Sequence, residues 1–243
     1  MSKLKVFTII DPQNDFIEGG SLAVSNGKKS LDNVVAHLSK HADDYDVILV
    51  SLDTHNRTNL GFPDNWFGTE VNKLKPGTPF PVDLIEPGKL WPKFEYTAPR
   101  DVEMIKKQPG FMCWPCHCVK GSSGWFIYEP LDKLLLSLGS KVVFMTKGED
   151  DARDNYSLFH YGDGGLTELG KNFNLWDLKY DDPEIFVSGL AMDFCVFETV
   201  KSLQEICKNG SYKIMINMTA SIRDSETVSE LYKGLKKKVE IQI

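Results

Sequence analysis

Short apolar runs alternate with amphipathic stretches along all 243 residues of the chain. Residues 4–10 (LKVFTII), 47–51 (VILVS), 142–145 and 185–187 are continuous apolar runs rich in β-branched side chains. Bounded by polar turns, they predict strands buried on both faces. Residues 212–218 (YKIMINM) and 239–243 add two more strands. Between the runs the period changes. Leu31, Val34, Val35 and Leu38 predict a helix over 28–41, and Leu131, Leu134, Leu135 and Leu138 predict another. Residues 154–159 lead into a third, continued by Leu166 and Leu169. A fourth runs from Asp193 to about Lys208, and 226–237 form a fifth. Alternating strands and helices mean an α/β fold. The prediction is a single-domain, doubly wound three-layer sandwich over residues 1–243, around a mainly parallel six-stranded sheet. Residues 56–113 break the pattern. They hold most of the 12 prolines and no strong periodicity. A segment this long without regular structure predicts a cap of short helices or a hairpin over the site.

The polar residues that interrupt the pattern fall at one edge. Ligands of such sheets bind beyond the carboxyl ends of the strands, where strand order reverses. Asp11, Asp53 and Lys147 each end or directly follow an apolar run, and Cys195 follows another after a turn at Ser188-Gly189. Each alone reads equally well as a solvated loop residue; together they converge on one crevice. Cys195 falls in the first turn of a helix, where unpaired N–H groups and the helix dipole predict a lowered thiol pKa. The plainer reading of a free cysteine is a small buried apolar residue. With Asp11 as proton acceptor and Lys147 between carboxylate and thiol, the group suits amide hydrolysis through a thioester. The backbone N–H groups of Ala191 and Cys195 are candidates for an oxyanion hole.

Asp53, His55 and His117 form a second group. Two imidazoles and one carboxylate, with positions left for water, suit zinc, iron or manganese. The plainer reading makes Asp53-Thr54-His55 a turn with a satisfied histidine. Cys113, Cys116 and Cys118 with His117 are a rival structural zinc site, but four ligands within six residues wrap one tetrahedral ion poorly.

Composition narrows the classes. A formal net charge of −6 argues against nucleic acid and anionic membrane surfaces as partners. No apolar run approaches the roughly 20 residues of a spanning helix. The N-terminus reads as a strand with no cleavage site. Five cysteines, three of them within six residues, predict a reducing cytoplasm and no disulfide framework.

Five motifs, in order along the chain, then carry a resemblance. They are Asp11-Pro12-Gln13-Asn14-Asp15-Phe16, Asp53-Thr54-His55, Trp114-Pro115-Cys116-His117-Cys118-Val119, Lys147-Gly148 with Tyr156-Ser157-Leu158-Phe159, and Gly189–Val196. The chain resembles the nicotinamidase branch of the isochorismatase-like cysteine hydrolases. The resemblance implies hydrolysis of nicotinamide to nicotinate and ammonia, in NAD salvage. Cys195 would be the nucleophile, Asp11 the base and then acid, and Lys147 the residue that stabilises both. It implies a cis Leu190–Ala191 peptide and one divalent metal on Asp53, His55 and His117, zinc first and iron or manganese next. Phe16, Trp114 and Tyr156 would enclose the pyridine ring. Asn59 stands where many relatives have a further histidine, and offers only a weaker carbonyl oxygen. The resemblance leaves open whether pyrazinamide is also a substrate and whether the chain forms a homo-oligomer. The alternative is a metal-independent amidase of the same superfamily acting on another small carboxamide or carbamoyl compound.

Overall fold

The computed structural model describes residues 3–94, 98–108, 110–167, 170, 183–207, 210–235 and 239–242. Six strands form one sheet: β1 (Lys5–Ile10), β2 (Val47–Asp53), β5 (Val142–Lys147), β6 (Glu184–Leu190), β7 (Ser211–Ala220) and β8 (Glu240–Gln242). Their order across the sheet is β5-β2-β1-β6-β7-β8, and every neighbouring pair is parallel. The chain therefore starts in the middle, winds outward through β2 and β5, and returns to build the other half from β6. The reversal lies between β1 and β6.

Alternation along the strands explains the three layers. Phe7 and Ile9 of β1, with Ile48 and Val50 of β2, pack against Leu31, Val34 and Leu38 of α1 (Gly27–His41) and Leu131 and Leu135 of α3 (Glu129–Leu138). The intervening Val6, Ile10 and Leu49 point to the other face. There they join Val200 and Leu203 of α4 (Phe197–Ile206) and Val228 of α5 (Ser225–Lys233). A period of two thus serves two helical layers at once.

The irregular segment is a cap with an apolar cluster of its own. A two-stranded antiparallel pair, β3 (Trp66–Phe67) and β4 (Trp91–Pro92), and α2 (Ala98–Lys106) bury Trp66, Phe80, Leu90, Ile105 and Phe111.

Two expectations are corrected. Residues 154–167 form no helix. Gly162, Gly164 and Gly165 break the run, and the chain reverses there, with His160 bridging Leu166 and Tyr161 N–H donating to Gly165 O at 2.8 Å. Leu169 lies outside the described residues. The fourth helix begins with a wide π-turn, Met192–Val196, before α4 takes over.

Candidate active site

β1 ends at Ile10 and β6 at Leu190, paired through Ile10 and Gly189. Asp11 and the turn leading to Cys195 are therefore neighbours across the reversal. On the other side, Asp53 at the end of β2 pairs in register with Lys147 at the end of β5. Sheet register alone brings together residues that are far apart in the chain.

Lys147 Nζ lies 2.9 Å from Asp11 Oδ2, 2.9 Å from Asp53 Oδ1 and 3.5 Å from Cys195 Sγ. All four residues are buried. Burial works against the ammonium, but Asp11, Asp53 and Cys195 outweigh it and hold Lys147 well above its usual range. Burial pushes the Asp11 carboxyl up, while Lys147 pulls it down. The Cys195 thiol is pushed well up by burial, against the pull of Lys147. This corrects the expectation of a lowered thiol: desolvation in the buried crevice exceeds what the helix terminus supplies. The thiol consequently holds its proton until an acceptor takes it. Asp11 is arranged for that. Ser51 Oγ donates to its Oδ1 at 2.6 Å, whereas Oδ2 lies near Lys147 but accepts no well-directed hydrogen bond. The Leu190–Ala191 peptide is cis.

Asp53, His55 and His117 bring their ligating atoms within 4.8 Å of one another. His55 Nδ1 faces Gly148 O at 2.9 Å and His117 Nδ1 faces Pro115 O at 2.7 Å. Donation there leaves both Nε2 atoms free, and they lie 3.0 and 3.3 Å from Asp53 Oδ2. Backbone carbonyls that orient imidazoles in this way are usual behind a metal. Burial opposes a proton on His55, but Asp53 outweighs it and raises the imidazole. Burial likewise opposes the Asp53 carboxylate, and His55 and Lys147 hold it well below its usual range. The donor set fits a divalent cation. Gly148 makes room for it: at φ +83°, a Cβ there would sit 2.7 Å from His55 Cε1 and 2.8 Å from Asp53 Oδ1. Asn59 does not turn its oxygen to this cluster. Its Oδ1 accepts from Gly61 N–H at 2.8 Å, and its amide nitrogen lies 3.3 Å from His55 Nδ1.

The rival thiolate site is not assembled. Cys113 belongs to the cap cluster and Cys118 to the α1-side core. Among the described residues, the candidate metal group consists of Asp53, His55 and His117.

Phe16, Trp114 and Tyr156 line one pocket with Cys195, Ala191, His55 and His117. Three residues that shape it escaped the sequence reading. Phe194 packs edge-on to Trp114, with centroids 5.2 Å apart. Gln13 clamps the backbone of Asp53, accepting from its N–H and donating to its carbonyl, each at 2.7 Å. Asp15 accepts from Cys118 N–H at 2.7 Å, beside His117. The run from Asp11 to Phe16 held the last two; Phe194 showed only as one more apolar helical position.

Cys195, Asp11 and Lys147 gathered at the edge of a parallel sheet form an arrangement suited to a cysteine hydrolase. The chain is similar to known nicotinamidases. The chain is 28% identical over 239 residues to the nicotinamidase of Saccharomyces cerevisiae, covering 96% of each. It is 26% identical to the nicotinamidase/pyrazinamidase of Mycobacterium tuberculosis, covering 94% of this chain and 92% of that one. Among solved structures, yeast nicotinamidase Pnc1p bound to the inhibitor nicotinaldehyde superposes with a TM-score of 0.73 at 21% identity, over 98% of this chain and 99% of that one. The pyrazinamidase of Pyrococcus horikoshii in complex with zinc gives 0.63 at 18% identity, over 98% of each. No family model matches the chain.

Proposed function

We propose that the protein is a nicotinamidase, hydrolysing nicotinamide to nicotinate and ammonia in NAD salvage. The observation that carries this reading is the single ammonium of Lys147 in contact with Asp11, Asp53 and Cys195, the last two of which line a pocket walled by Phe16, Trp114 and Tyr156. In the proposed reaction Cys195 Sγ attacks the carboxamide carbon while its proton passes to Asp11. The N–H groups of Ala191 and Cys195 stabilise the oxyanion. Asp11 returns the proton to the nitrogen, the C–N bond breaks and ammonia leaves a thioester. Water then attacks the thioester carbon, giving a proton to Asp11, and nicotinate departs as that proton restores the thiol. Lys147 keeps Asp11 ionised before each transfer and offsets charge on sulfur.

Asp53, His55 and His117 would hold the divalent ion, zinc in the first place and iron or manganese as alternatives. Once bound, it supplies a Lewis acid that anchors the ring nitrogen. Pyrazinamide, with a similar ring and carboxamide, is a second expected substrate.

The test is ammonia release from nicotinamide by the purified protein, before and after chelation. Release that chelation abolishes and added zinc, iron or manganese restores would support both halves of the reading. Release that survives metal removal would favour a metal-independent amidase. No release with any metal would overturn the substrate.

A further inference from the structure

The two histidines of the metal cluster stand on separate segments, His55 just beyond β2 and His117 in the loop between α2 and α3. The residue after His117 ties those segments together. Cys118 O accepts from His55 N–H at 3.0 Å, and Lys120 N–H returns to His55 O at 2.9 Å. Cys118 N–H donates to Asp15 Oδ2 at 2.7 Å. Cys118 has a φ of +45°, in the left-handed region. A residue with a Cβ is disfavoured there, so partners outside the residue must hold it.

Asp15 is built for that task. Its backbone is held without help from its carboxylate: the N–H donates to Gly124 O and the carbonyl accepts from Leu22 N–H, each at 3.0 Å. The carboxylate is left to serve other groups. Oδ1 accepts from Ser21 N–H at 3.1 Å, which serves the local turn. Oδ2 instead reaches across 103 positions of the chain to Cys118. Gly124 leaves the space for it, since a Cβ there would lie 2.0 Å from Oδ2. The next residue, Phe16, packs on the His117 ring, with centroids 5.6 Å apart at 65°. Asp15 is not one of the three candidate donors, and the reaction above gives it no part.

We propose that Asp15 is a positioning residue of the metal site. By accepting the Cys118 N–H it holds the left-handed turn at Cys118, and that turn sets His117 against His55 and Asp53. The inference rests on the metal half of the nicotinamidase reading. It assigns Asp15 no contact with metal or substrate.

The experiment compares the wild type with Asp15→Ala, Asp15→Asn and the double variant Asp15→Ala with Cys118→Gly. Two quantities are read: the zinc dissociation constant, by competition with a chromophoric chelator, and the visible absorption of protein loaded with cobalt in place of zinc. Urea unfolding of the metal-free proteins records stability separately. Asp15→Ala is expected to raise the zinc dissociation constant about 10–100-fold, as loss of an outer partner of a metal ligand does, and to alter the cobalt spectrum. Asn keeps an acceptor for the Cys118 N–H and should recover most of the affinity. Cys118→Gly reaches the left-handed region without strain and should return part of what Asp15→Ala loses. An Asp15→Ala protein with native zinc affinity and cobalt spectrum would overturn the proposal, whatever its stability in urea, because the carboxylate would then serve its own turn alone. An Asn variant as poor as Ala, or a double variant no better than Asp15→Ala, would overturn it too. If Asp15→Ala does not fold, Gly124→Ala decides, since the added Cβ drives the same carboxylate away from Cys118; native zinc affinity in that variant would sink the idea. Wild-type protein that binds neither zinc nor cobalt would remove the metal reading and this inference with it. Wild-type protein that binds zinc but releases no ammonia would remove the nicotinamide reading alone, because every readout here is of the metal.

Discussion

Lys147 shows how much one side chain does in a buried site. Its ammonium offsets two carboxylates that would otherwise repel each other, and it sits against the thiol. Replacing it by methionine keeps the volume and leaves Asp11 and Asp53 facing each other without a cation. Breaking a buried ionic cluster in this way costs about 3–5 kcal/mol. We expect Lys147→Met to unfold at correspondingly lower urea and to release no detectable ammonia. A variant with native stability would show that the two carboxyls share a proton and need no ammonium. The same residue explains what a sequence can disclose. The convergence of Lys147, Asp11, Asp53 and Cys195 was legible because the first three end or directly follow apolar runs and Cys195 follows another after a turn, and such ends meet at one edge of a parallel sheet. The state of the thiol was not legible. Helix position argues for a lowered pKa, and only the surrounding burial, a property of the assembled crevice, reverses it.

At the scale of elements, the strands were readable because a run buried on both faces has few other solutions. All six predicted strands are present, and α1, α3 and α5 fall where their apolar spacing put them. The loops were not readable. Leu166 fits a helical spacing from the preceding residues, but three glycines within four residues, Gly162, Gly164 and Gly165, favour the reversal that forms. Short helices or a hairpin were expected in residues 56–113 from the absence of period, but which residues form the β3–β4 pair and α2, and the apolar cluster they bury, was not readable, because these depend on contacts between distant residues. Gln108 attaches this cap to the loop that carries Tyr156. Its amide donates to Ala152 O at 2.6 Å and accepts from Asp154 N–H at 2.6 Å. Replacing Gln108 by alanine strips both backbone groups of their partner, at about 1–3 kcal/mol for each left buried. We expect Gln108→Ala to fold with its sheet intact, to be cleaved faster by protease within residues 56–113, and to show a raised KM for nicotinamide. Unchanged proteolysis would mean the cap is held by its apolar cluster alone.

Across the whole molecule, two features set how stability depends on conditions. Cys113 has no exposed surface, and burial pushes its thiol from 9.0 up to about 11. An acid raised in the folded state is neutral in both states below 9.0. Between 9.0 and about 11 it ionises in the unfolded chain first, so folding loses stability as pH rises through that window. Serine at this position should flatten the decline in urea midpoint between pH 8 and pH 10.5; an equal decline in both proteins would assign it to other groups. The second feature is the Asp53–His55–His117 cluster, which ties the end of β2 to the loop bearing His117 across the pocket. A cation bound there and absent from the unfolded chain adds stability in proportion to the logarithm of its concentration. At a hundredfold excess over its dissociation constant that is about 2.7 kcal/mol. For a chain of this length, the thermal midpoint should rise by roughly 5–10 °C when zinc is returned to chelated protein. His117→Ala removes one of the three donors and should abolish most of the rise. Calorimetry on the two proteins, with and without metal, decides the matter independently of any substrate. A midpoint that zinc, iron and manganese all leave unmoved would mean that the three side chains hold one another by hydrogen bonds and protons alone. The ring of the substrate would then need its anchor from the aromatic wall.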